Sequence, residues 1–197
     1  MKFIRSAGFC AALTILAVQP AAAQEHGDLA AQSQAGASAR TTSPYAGMEN
    51  RHLKALSDQQ IADLQAGRGM GLSLAAELNG YPGPLHVLEL AEGLQLSEMQ
   101  RTRTKALLDA MKAKTIPIGE RIIEEETAFD RLFAEKRVTR ASIDATTARI
   151  GAAQGELRAA HLRYHFAMVE VLSPVQIARY AELRGYSEGG HHVHGTQ

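Results

Sequence analysis

Between Ser97 and Leu172 the apolar side chains recur at helical rather than strand spacing, and they do so in two successive runs. In the first run Leu108, Met111, Ile118, Ile122, Phe129 and Leu132 fall at steps of three, seven and four, with Thr115 and Glu125 at the remaining seam positions. That is the buried stripe of an amphipathic helix. After Arg137-Val138, Thr139 can cap a second run in which Ile143, Ile150, Leu157, Tyr164 and Val171 recur every seven residues. Thr146, Ala153, Ala160 and Ala167 occupy the intervening seam positions and are small enough to let a partner helix approach closely. Two long seams joined by so short a link predict an antiparallel hairpin of helices over 98–136 and 140–171. Pro117 lies inside the first helix and is expected to bend it, because proline removes one backbone donor and crowds the preceding turn. Composition points the same way: there is no tryptophan, aromatics are 5%, and alanine and leucine abound.

The phrase Leu-Ser-x-x-Gln occurs three times, at 56–60, 96–100 and 172–176. Serine followed three residues later by glutamine is a capping box, so each copy predicts a helix start. With glycine stops and proline starts, the chain reads as short helices over 57–66, 72–78 and 85–94 before the hairpin, and one over 173–184 after it. The expected fold class is all-α: a long antiparallel helical hairpin with short flanking helices.

The ends carry a different message. Met1-Lys2-Phe3-Ile4-Arg5 is a basic opening, Ala7 to Val18 an apolar run too short to span a bilayer, and Ala21-Ala22-Ala23 a small-residue cleavage site. Residues 1–23 therefore read as a signal peptide and the protein as periplasmic. The one cysteine, Cys10, lies inside that segment, and Phe9 before it is too large for a lipoprotein site. The exported chain, about 174 residues, then has no thiol for disulfides, catalysis or metal binding, and one domain is the default. Loss of Lys2 and Arg5 takes the formal charge from zero to −2, so no basic face for nucleic acid is expected. No later segment is apolar enough for membrane insertion. Residues 24–45, rich in Ala, Gln, Ser, Gly and Thr, read as a disordered leader, 46–186 as the helical domain, and 187–197 as a flexible histidine-rich tail.

Two copies of the motif flank the hairpin, and these carry a resemblance. Leu96, Ser97 and Gln100 before it, and Leu172, Ser173 and Gln176 after it, resemble the paired Leu-Thr-x-x-Gln motifs of the Spy/CpxP superfamily, with Ser for Thr at the cap. The likeness covers roughly residues 85–186. The segment before it, with Gly67-Arg68-Gly69-Met70-Gly71 and Asn79-Gly80-Tyr81-Pro82-Gly83-Pro84, is similar to the heavy-metal-sensor branch that includes the CnrX and ZraP types. The resemblance implies a non-enzymatic envelope protein, folded as a small helical cradle and usually a homodimer. It implies either a metal-binding sensor or accessory that acts on a membrane-anchored signalling protein, or an ATP-independent chaperone that holds unfolded envelope proteins.

Two histidine groups are candidate ligands for a divalent transition metal such as Zn, Cu, Ni or Co. His161, His165 and Met168 are spaced four and three apart, which puts two imidazoles and a thioether on one helix stripe. The CnrX type is similar in placing His and Met one turn apart; the His165–Met168 spacing here is three rather than four. The competing reading is an ordinary packed histidine and a core methionine. His191, His192 and His194 form the second group, in the tail, where metal affinity should be modest for lack of supporting hydrogen bonds. His26, His52, His86, Met48 and Met70 are isolated and serve at most to complete a site. No His-Glu-x-x-His is present, which leaves a metalloenzyme as the outsider. The chaperone reading rests on charge: Arg101, Arg103, Lys105, Lys112 and Lys114 crowd the first half of the long helix and Glu120, Glu124, Glu125 and Glu126 the second. The same charges also suit an ordinary solvated face.

Overall fold

Ser57, Ser97 and Ser173 each hold extended backbone and accept the N–H of the residue three positions on, while the glutamine there accepts the serine N–H in return. Thr139 and Ser142 close the same box one helix later. These four caps set the starts of the main helices. The computed structural model of the chain describes residues 43–186, and the proposed signal peptide, most of the proposed leader and the 187–197 tail lie outside them. A 3-10 turn at Met48–Asn50 precedes α1 (Asp58–Gln65), α2 (Leu74–Glu77), α3 (Pro84–Glu89), α4 (Glu98–Ala134), α5 (Arg140–Met168) and α6 (Pro174–Leu183). Every regular element among the described residues is helical, and none of these helices is long and apolar enough to cross a membrane. The all-α expectation holds.

Helices α4 and α5 form the antiparallel pair, and α1, α2 and α3 lie against it. The seam of α4 is buried at Leu108, Met111, Thr115, Ile118 and Ile122, and opens at Phe129 and Leu132, which are half-buried. The α4 helix continues unbroken across the exposed Pro117. In α5 the expected every-seven pattern is buried at Ile150 and Leu157 but not at Ile143, which is exposed, or Tyr164, which is half-buried. His161, His165 and Met168 are buried instead. The hairpin alone does not account for this. Helices α2 and α3 also pack on α5, and they cover a face that a two-helix seam leaves to water. Helix α5 accordingly stops at Met168, not Val171.

Two apolar clusters result. One, in the middle of the hairpin, joins Leu64 of α1 to Ile118, Ile122, Ala153, Leu157 and Ala160. Helix α1 comes close enough there that a Cβ on Gly119 would lie 2.5 Å from the Leu64 carbonyl oxygen. The other, at the open base, joins Val87, Ala91, Leu94 and Leu96 to Met168, Val171, Leu172 and Tyr180. Across the exposed flanks Glu125 takes Arg149 Nε with both oxygens at 2.9 and 3.0 Å, and Glu156 takes Arg121 and Lys114. The acidic half of α4 is thus partly spent on α5.

The base is fastened by the two motif glutamines. Gln100 Nε2 donates to Val171 O at 2.9 Å and to Gln176 Oε1 at 2.8 Å; Gln176 Nε2 donates to Leu94 O at 3.2 Å and to Gln100 Oε1 at 3.1 Å. Each carboxamide therefore caps its own helix with oxygen and reaches the backbone before the other helix with nitrogen. Only an amide can do both. Leu96 and Leu172 are buried in the cluster beside this clasp. The first copy of the motif differs: Ser57 and Gln60 cap α1, and Gln60 reaches no other helix among the described residues.

Candidate metal-binding cleft

Helix α2 inverts the usual burial rule. Its leucines point out, Leu74 being 55% and the following Leu78 56% exposed, while Glu77 is 6% exposed. A buried carboxylate needs partners. Glu77 Oε1 accepts from the Tyr180 hydroxyl and, at 3.2 Å, from the Tyr186 hydroxyl, with Arg184 Nε 3.7 Å away. Oε2 accepts Gly83 N–H at 3.2 Å and lies 3.6 Å from His165 Nδ1. Burial by itself pushes this carboxyl up, but the close approach of His86 and the Tyr180 hydroxyl, with the charges of His86 and His165, holds it at about 2. It is an anion at neutral pH.

Glu77 lies at one side of a cleft of about 350 Å³ between the 66–86 segment and helices α4 and α5. His86, His161 and His165 also line it, as do Met70 and Met111. His165 Nδ1 lies 2.8 Å from Tyr81 O. A carbonyl only accepts, so Nδ1 carries a proton; in the neutral ring that leaves the lone pair on Nε2, the arrangement in which imidazoles bind metals. Gly83 permits this approach, because a Cβ there would sit 2.9 Å from His165 Nε2.

His161 is 2% exposed, its Nε2 is buried, and that atom has no hydrogen-bond partner among the described residues. Burial, helped by the charge of His165, lowers its pKa to about 4, so it is neutral at pH 7. Gly69 lies against its ring; a Cβ there would make ordinary contact at 3.5 Å. His86 Nδ1 is likewise buried and unpartnered. It stands 3.4 Å from Glu77 Oε1, too poorly aligned for a hydrogen bond.

Of the residues singled out in the sequence, His161 and His165 meet in this cleft. Met168 does not join them: it is fully buried in the apolar cluster at the base, where it packs against carbon, and the thioethers that line the cleft belong to Met70 and Met111. His191, His192 and His194 lie outside the described residues. His52 is exposed and does not line the cleft, whereas His86 does. Glu77, Tyr180, Arg184 and Tyr186 were not anticipated. The available signal was a lone glutamate just before Asn79-Gly80-Tyr81-Pro82-Gly83-Pro84, a turn sequence that folds the chain back onto α5.

The donor set, unpaired imidazole nitrogens beside a carboxylate with thioethers nearby, suits a borderline divalent metal. Among the described residues no three His, Cys, Asp or Glu side chains are already grouped to hold one. A metal here would draw its ligands together by side-chain rotation. A protein-family model described as heavy-metal resistance matches residues 80–179. No curated protein and no solved structure matches the chain.

Proposed function

The chain belongs to the heavy-metal-resistance family, and we propose on that footing that it is a non-enzymatic, periplasmic metal-binding sensor or accessory protein. The observation that carries this reading is the buried, unpartnered Nε2 of His161 in a cleft shared with His165, His86 and Glu77. An imidazole nitrogen buried without a partner costs folding free energy that a metal would return. His161 and His165 stand on α5, while Glu77 and His86 come from the α2–α3 segment. A Zn, Cu, Ni or Co ion between them ties that segment to the hairpin, a change that a membrane-anchored signalling partner can read. The paired Leu-Ser-x-x-Gln motifs, which form the clasp, support placement near the Spy/CpxP proteins.

The test uses the chain ending at Tyr186, which removes the tail histidines. Zinc or cobalt should bind at one site per chain and raise the melting temperature, and His161→Ala should abolish that gain while His52→Ala leaves it. No metal-dependent shift in the unsubstituted chain overturns the reading. Leu74, Leu78 and Phe166, all more than half exposed, favour a second one, in which apolar surface holds unfolded envelope proteins. On the sensor reading the same surface belongs to a homodimer. Suppression of client aggregation without ATP supports the chaperone, and a stable dimer that lacks that activity supports the sensor.

A further inference from the structure

The partners of Glu77 Oε1 come from the end of the chain. Tyr180 lies in α6, and Arg184 and Tyr186 follow it as the last described residues. One carboxylate oxygen offers about two lone-pair directions, and the Tyr180 and Tyr186 hydroxyls already take them. On the other side His86 Nδ1 waits without a partner, 3.4 Å from the same oxygen. That is about the separation of two ligands that each stand roughly 2.1 Å from one tetrahedral cation. Oε1 cannot serve both groups in full.

We propose that Glu77 is shared between the cleft and the C-terminal segment, so that a divalent transition cation taken up by His86 and Glu77 displaces the Tyr186 hydroxyl and frees the turn at residues 184–186 that follows α6. The inference rests on the metal-binding reading above and deepens it by naming the output of the site. Tyr186 is the partner that leaves, because it is half-buried and its bond is the longer of the two, whereas Tyr180 is 2% exposed and held in the base cluster. Besides that bond, Tyr186 meets Tyr180 edge-on with ring centroids 6.5 Å apart, packs beside the base cluster, and accepts Arg184 Nε at 3.2 Å on its hydroxyl, contacts the displaced side chain keeps or gives up with the turn. The turn's described backbone bonds are Arg184 N–H to Tyr180 O, Gly185 N–H to Glu182 O and Tyr186 N–H to Ala181 O, the C-terminal cap of a ten-residue helix turned by Gly185 at φ +72°. Chain 187–197, with its three histidines, follows directly. Opening of this turn on metal uptake turns an event in the cleft into a change at the end of the molecule.

The experiment uses the full chain with His191, His192 and His194 replaced by alanine, so that zinc reports on the cleft alone. Amide hydrogen exchange is followed with and without zinc, and zinc affinity is measured for this chain and for its Tyr186→Phe derivative. Exchange should slow around His161 and His165 and quicken at Gly185 and Tyr186. Tyr186→Phe, which removes the competitor, should tighten zinc binding about tenfold, the size of one hydrogen bond to a charged group. Zinc protection of α5 with unchanged exchange at Tyr186, or weaker binding by the phenylalanine variant, overturns the inference and leaves the metal site standing. Absence of zinc binding overturns both. Exchange on the chain with Tyr186 intact decides the matter even where the substituted protein folds poorly.

Discussion

Replacing Gln100 by glutamate tests what the clasp contributes, since the side chain keeps its shape, loses its donors and gains a charge that the same change at Gln60 also brings. A carboxylate oxygen still accepts the Ser97 N–H, as Gln100 Oε1 does at 3.0 Å, and a negative charge in the first helical turn is favourable by a few tenths of a kcal/mol. The two donations from Nε2, to Val171 O at 2.9 Å and Gln176 Oε1 at 2.8 Å, disappear. Each is worth about 1 kcal/mol, and the half-buried Val171 carbonyl left without a donor adds about another. Gln176 Nε2 still donates to the new carboxylate and offsets part of this, so the expected loss is about 2 kcal/mol. Gln60→Glu is the control, because it alters the same motif where no second helix is reached. Its effect should stay within about 0.5 kcal/mol. Urea unfolding of both variants at neutral pH, followed by helical circular dichroism, gives the comparison. Equal effects of Gln60→Glu and Gln100→Glu would refute the clasp and reduce all three copies to caps.

Acid should weaken the metal-free fold in two stages. His161 has a folded value of about 4 against 6.5 for the free side chain, so its contribution is present above 6.5 and is lost as pH falls toward 4. Glu77 has a folded value of about 2 against 4.5, and its contribution is present above 4.5 and lost toward 2. Each gap corresponds to about 3 kcal/mol; urea midpoints across this range should lose the upper stage in His161→Leu, and an unchanged profile would contradict the burial of a neutral imidazole. Gly119→Ala should destabilise by about 1–3 kcal/mol, because the new methyl meets the Leu64 backbone at 2.5 Å. Gly155→Ala, on the exposed face of α5 with nothing within 4 Å, should instead stabilise by about 0.5–1 kcal/mol; thermal melts that show the same sign for both would contradict the close approach of α1.

The hairpin was legible because its information is local. Capping boxes and seam spacing fix Ser97, Thr139 and Ser173 as starts without reference to anything distant. His161 and His165 were legible as a pair for the same reason, since a four-residue step on a helix places them together. What covers them was not. The burial of Glu77 depends on Tyr180, 103 residues away, and on a turn that brings Gly83 against His165. Sequence rules bury Leu74 and Leu78 and expose Glu77, and the tertiary contacts reverse all three. Met168 shows the opposite failure: its spacing from His165 suggested a ligand, but α5 ends there and the side chain turns into the base cluster.

The clasp also bears on how long the folded chain lasts. Gln100 and Gln176 are 76 residues apart, whereas α4 and α5 meet first across the short link after Ala134. Closing the near contacts costs less chain entropy, so the hairpin is expected to zip from its tip, with the glutamines meeting last. Interactions that form after the barrier leave the folding rate almost unchanged and appear in the unfolding rate. The paired motif therefore works as a latch: it sets the lifetime of the closed base, and with it the time for which the ends of α4, α5 and α6 are held together.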